Sequence, residues 1–114
     1  MSTLRASVSA GESGPVITLS GEADITTAAE LGELITVQLA EETQQLTVDV
    51  AGLDFADTAA IRVLLVAARR LRQRGGDLVL LRPQRALARV LEILGAAEVV
   101  TIQGKTEAPP EPES

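Results

Sequence analysis

The chain has 114 residues, of which 46% are hydrophobic, a size and composition that suit one compact domain and leave no room for a second core. It has no His, Cys, Trp or Tyr and a single Phe. These absences exclude the usual zinc, haem and disulfide chemistry and any aromatic platform for a sugar or base, and no cofactor is expected. A net charge of −6 argues against bulk phosphate contacts with nucleic acid, but the charge is unevenly spread: −9 over residues 1–58, +6 over 59–95 and −3 over 96–114.

Leu4 to Ala10 alternates apolar and polar side chains, residues 11–15 (Gly-Glu-Ser-Gly-Pro) break the pattern, and Val16 to Ser20 resumes it, which predicts an opening strand pair. Thr27 and Glu30 have the spacing of a capping box. Behind them Ala28, Leu31, Leu34, Ile35 and Leu39 recur at helical steps, with Glu30 and Glu33 on the other side. Leu46 to Val50 alternates strictly, as in a strand with one apolar and one wet face, and residues 51–57 read as a short loop.

From Thr58 to Arg74 the chain is rich in helix formers, with Ile61, Leu64, Leu65, Ala68 and Leu71 spaced for burial and Gly75 and Gly76 as a stop. Arg69, Arg70, Arg72 and Arg74 read as its solvated face. Leu78 to Leu81 predicts a short buried strand, Leu87, Val90, Leu91 and Leu94 a third helix ended by Gly95, and Val99 to Ile102 a last strand. Residues 103–114 hold three prolines and acidic residues and read as a disordered tail, leaving 1–102 as the folded domain. Alternating strands and helices predict an α/β domain whose mainly parallel sheet carries its helices chiefly on one face. No apolar run reaches membrane-spanning length and the N-terminus lacks a signal-peptide core, so a cytoplasmic protein without membrane insertion is expected.

The segment with most chemical content is Leu53-Asp54-Phe55-Ala56-Asp57-Thr58, which delivers a hydroxyl to the start of the long helix. Asp57 or Thr58 serves there as an N-cap, or else Thr58 is a phosphoacceptor, where a phosphate adds about 1.5 to 2 negative charges beside Asp54 and Asp57. Glu22, Asp24, Asp54 and Asp57 also have the chemistry of a metal or acid–base cluster, but nothing else in the sequence converges on them, and no metal site is expected.

Two separated stretches carry a family resemblance. Leu19-Ser20-Gly21-Glu22-Ala23-Asp24, followed by Thr27-Ala28-Ala29-Glu30-Leu31, is similar to the GELD…TAxEL segment of bacterial STAS domains. Residues 48–61 (VDVAGLDFADTAAI) resemble their DLSxLxFxDSSGL segment, and Gly75-Gly76-Asp77-Leu78 resembles the GGxLxL that follows. The match spans about residues 4 to 102 and points to anti-sigma factor antagonists, which are not enzymes.

That resemblance implies a STAS-like fold and binding to an anti-sigma factor with a GHKL-type Ser/Thr kinase domain. It implies release of a sigma factor and a switch-off by phosphorylation at Thr58, and it leaves a homodimer open. Glu22, Asp24, Asp54, Asp57, Thr58, Ala59 and Ala60 are the partner-facing residues it implies. Where the family has Ser-Ser-Gly-Leu this chain has Thr58-Ala59-Ala60-Ile61, adding a methyl at the acceptor and a Cβ where glycine is usual. The same Asp-Thr-Ala run also resembles the STAS subunit of bacterial phospholipid ABC transporters, which binds the ATPase; that is the second reading.

Overall fold

The structure, a computed structural model, describes residues 3–40 and 42–104. Strand β1 (Leu4–Gly11) turns back into β2 (Gly14–Ala23), and the two pair antiparallel from Leu4 opposite Gly21 to Gly11 opposite Gly14. Helix α1 (Ala28–Gln38) leads into β3 (Gln45–Ala56), and α2 (Thr58–Gln73) into β4 (Asp77–Leu81). Helix α3 (Arg85–Ile93) and a single 3-10 turn (Ala96–Glu98) lead into β5 (Thr101–Gln103).

The sheet order is β1-β2-β3-β4-β5, and β2 to β5 are mutually parallel. Each crossover helix therefore steps the same way along the sheet. With the right-handed crossover that twisted strands impose, all three helices fall on one face, as the sequence pattern predicts. The core lies between: Ile17, Leu19, Leu46, Val48, Val50, Leu78 and Leu80 from the sheet meet Leu31 and Ile35 of α1, Ile61, Leu64, Ala68 and Leu71 of α2 and Leu87 and Leu91 of α3. Of the stripe predicted on α2, Leu65 alone is only half-buried.

On the helix-free face, Thr47 is half-buried and Asp49 nearly buried, because Arg82 reaches its Oδ2 at 2.6 Å while Ala51 N–H donates to Oδ1 at 3.0 Å. Arg82 stands in the left-handed region at φ 57° where the chain leaves β4, and its own N–H donates to the Gln103 carbonyl.

Three sequence expectations need correction. Residues 51–56 are strand, not loop: after Asp49 the parallel register against β2 slips, then resumes with Ser20 opposite Gly52 and Glu22 opposite Phe55, and Leu53 is buried. Irregular pairing breaks the alternation that a period-2 reading needs. The last strand begins at Thr101 rather than Val99, since the 3-10 turn occupies the preceding residues, and it includes Gln103, which pairs with Leu81. The folded part thus extends past 102, and residues 105–114 of the expected tail lie outside the described residues.

Candidate functional site

The parallel strands β2, β3 and β4 end at one edge of the sheet, where α1, α2 and α3 begin, and most of the residues singled out from sequence meet there. This is where α/β domains most often place their sites, because the connecting loops converge above the strand ends. Gly21 opens the edge: it has φ 91° and the Thr3 carbonyl would lie 2.1 Å from any Cβ, so the bend before Glu22 requires glycine.

Asp24 builds the β2–α1 turn. Its Oδ1 accepts the N–H of Thr26 at 2.9 Å, the N–H of Thr27 at 3.2 Å and the Thr26 hydroxyl at 2.5 Å. These donors, the Thr26 hydroxyl first, hold its carboxyl below the ordinary value of 3.8. The capping box predicted at Thr27 is not used as such: Thr27 occupies the N-cap position but its hydroxyl accepts the Asp24 N–H at 2.9 Å instead of a helix amide. Thr27 is buried, and the hydroxyl turns back into the loop because Asp24 supplies the partners there.

Asp57 joins that turn to α2. One carboxylate oxygen accepts Ala60 N–H at 3.0 Å, closing the helix N-terminus, and the other accepts Ile25 N–H at 2.9 Å from the β2–α1 turn. Its own N–H donates to the Ala23 carbonyl. Of the two residues offered as N-cap, the structure selects Asp57. Thr58 is the first residue of α2 and exposed, and among the described residues no hydrogen bond of its hydroxyl is found.

Glu22 and Asp54 are exposed beside this turn, and Asp54 lies 3.4 Å from the Gln84 amide, which is held mainly by the Ala51 carbonyl at 2.9 Å. Ala59 is half-buried. Ala60 is not a surface residue: it is 1% exposed and faces the core, so its part is the backbone N–H that Asp57 captures. Each step along an α-helix turns by about 100°, so Ala60, two places after exposed Thr58, comes round to the core side, which motif alignment does not weigh.

Two residues were missed. Ile25 is 75% exposed and Phe55 is 51% exposed, both at this edge and both large and apolar. The signal was an isolated apolar side chain within each acidic stretch, Asp24-Ile25-Thr26 and Asp54-Phe55-Ala56. Apolar groups ringed by charge are the composition of an interaction surface. Among the described residues no group of carboxylates is arranged to hold a metal ion, and no helix is long and apolar enough to cross a membrane.

A STAS-domain family model matches residues 7–108. The chain is 33% identical over 107 residues to the anti-sigma-F factor antagonist RsfA of Mycobacterium tuberculosis, covering 92% of this chain and 84% of the relative. The crystal structure of an anti-sigma factor antagonist from Mycobacterium paratuberculosis superposes with a TM-score of 0.77 at 21% identity, covering 87% of this chain and 84% of that one. The Bacillus cell fate determinant SpoIIAA in its phosphorylated form superposes with a TM-score of 0.70 at 19% identity and 94% coverage of both chains. At these identities the two structures speak to the fold alone.

Proposed function

Because the chain belongs to the STAS-domain family, we propose that it is an anti-sigma factor antagonist: a binding regulator, not an enzyme, that engages an anti-sigma factor through the edge where α2 begins. In this reading the partner carries a GHKL-type kinase domain, and transfer of a phosphate to Thr58 releases it. The observation that carries the reading is the state of Thr58: an exposed hydroxyl at the first position of α2, relieved of capping by Asp57 and flanked by Glu22, Asp24, Asp54, Ile25 and Phe55.

Phosphorylation acts here by charge. The modification adds about 1.5 to 2 negative charges to an edge that already carries the carboxylates of Glu22, Asp24, Asp54 and Asp57. An acidic partner surface is repelled, while the helix N-terminus tolerates the anion and the fold stays intact. Binding and release are thereby separated from folding.

The experiment mixes the protein with its anti-sigma factor and ATP and follows Thr58 by mass spectrometry and the complex by gel filtration. One phosphate on Thr58 with loss of the complex is expected. Thr58→Ala keeps the complex and takes no phosphate, because the N-cap is Asp57; Thr58→Glu weakens it. A stable complex with no phosphate on Thr58 overturns the switch, and the absence of any complex overturns the partner.

A further inference from the structure

Resting on the reading of Thr58 as phosphoacceptor, we propose that Arg62 is the residue that receives the phosphate, pairing with it along one turn of α2. Thr58 and Arg62 are four positions apart in α2 (Thr58–Gln73) and both exposed. That spacing brings Cβ atoms to about 5–6 Å on one helix face. Side chains in a helix lean toward its N-terminus, so a long side chain at position 62 has the reach to fold back over the turn that bears Thr58. In the unmodified protein Arg62 lines the groove between α1 and α2 beside Ala59 and Val63.

The order is also the favourable one, anion before cation along the chain, in line with the helix dipole. A guanidinium offers a planar fork that matches two phosphate oxygens. Between the two residues stand Ala59, Ala60 and Ile61, none with a polar side chain to compete. Neither ion pair found among the described residues involves Arg62; they engage Arg72 and Arg82.

The other charges at this edge are Asp57 at the N-cap, Asp54 on β3, Glu22 and Asp24 at the end of β2, Glu30 in the first turn of α1 and Arg85 at the first position of α3. The carboxylates disfavour the doubly charged phosphate and Arg62 favours it. Unmodified, the edge presents the Arg62 guanidinium to a partner. Once modified, the guanidinium is occupied by the phosphate, so the modification removes a positive contact as well as adding negative charge.

The test uses the full chain with phosphothreonine installed at position 58 during translation and follows the phosphate by phosphorus NMR across its second ionisation. In the unsubstituted chain the second pKa lies below that of Arg62→Gln by about half a unit, from an ordinary value near 6. Arg62→Lys restores at least part of the shift and Arg85→Gln leaves it in place, with equal unfolding midpoints showing that all variants fold. An unchanged pKa in Arg62→Gln, no recovery in Arg62→Lys, or a shift lost in Arg85→Gln instead overturns the pairing. Since the phosphate is installed without a kinase, failure of the partner-switching reading shows only in the kinase experiment.

Discussion

The two ends of α2 are held by opposite means. At its C-terminus side chains reach out to tie down neighbouring backbone: Arg72 Nε donates to the Val99 carbonyl at 3.0 Å and Arg74 Nη1 to the Ala40 carbonyl at 2.6 Å, while Gly76 N–H returns to Leu71 at 2.7 Å. Asp77 accepts the Thr101 hydroxyl just beyond. At its N-terminus the direction reverses, and carboxylates gather backbone amides: Asp57 takes those of Ala60 and Ile25, and Asp24 those of Thr26 and Thr27. One end fastens loops with cations; the other is closed by its acids and leaves Thr58, Ile25 and Phe55 in solvent. A helix pinned at one end can offer the other for binding and modification without risk to the fold.

Between the ends runs the part both depend on. Leu64→Ala removes a 1% exposed side chain from the middle of the core and should lower stability by about 2–5 kcal/mol in denaturant unfolding. A wild-type midpoint would mean that the helix is not anchored where the comparison requires. The next effect separates the arginines. Arg72→Gln with Arg74→Gln removes two cation-to-carbonyl hydrogen bonds at the pinned end and should cost about 1–2 kcal/mol, whereas Arg69→Gln with Arg70→Gln, both exposed, should stay within about 0.5 kcal/mol. Equal losses from the two pairs would erase the distinction between a fastened end and a solvated face.

That division was not legible in the sequence, where Arg69, Arg70, Arg72 and Arg74 form one basic run. Helical periodicity reports which residues turn inward, and on that ground Ile61, Leu64, Ala68 and Leu71 were readable. It does not report which outward residue finds a carbonyl 27 or 34 positions away, as Arg72 and Arg74 do. The same limit explains β3, whose last six residues are strand only because β2 accepts them in a shifted register. At the candidate site, the residue types Asp57 and Thr58 and their place at a helix start were readable from the motif. The burial of Ala60 and the exposure of Ile25 and Phe55 depend on how two loops meet.

Phe55→Ala tests what the exposed end is for. The residue is half in solvent, so stability should stay within about 0.5 kcal/mol of the parent while affinity for the anti-sigma factor falls about tenfold, as for an aromatic anchor at an interface. Calorimetric titration with the partner measures the second, thermal unfolding the first. A loss of stability with affinity unchanged would make Phe55 a structural residue and move the binding surface elsewhere.

The smallest effect concerns how the exposed end keeps its shape. The Thr26 hydroxyl is the foremost donor to Asp24, and with the amides of Thr26 and Thr27 it holds that carboxyl below 3.8. A carboxyl whose pKa is lowered by folding contributes stability that is fully present above its unfolded pKa and fades as pH falls through its lower folded value, so the contribution is complete at neutral pH. Thr26→Val removes the foremost donor and leaves the two amides and the Thr27 hydroxyl, so the Asp24 midpoint should rise toward its ordinary value without passing it, a shift that carbon-detected NMR titration resolves. At neutral pH the unfolding midpoint should not move measurably, because the turn is exposed and its backbone hydrogen bonds remain. Should the Asp24 midpoint stay where it is in Thr26→Val, the amides of Thr26 and Thr27 with the Thr27 hydroxyl would set it, and the turn that presents Ile25 beside Thr58 would owe its geometry chiefly to backbone donors, as the N-cap at Asp57 does.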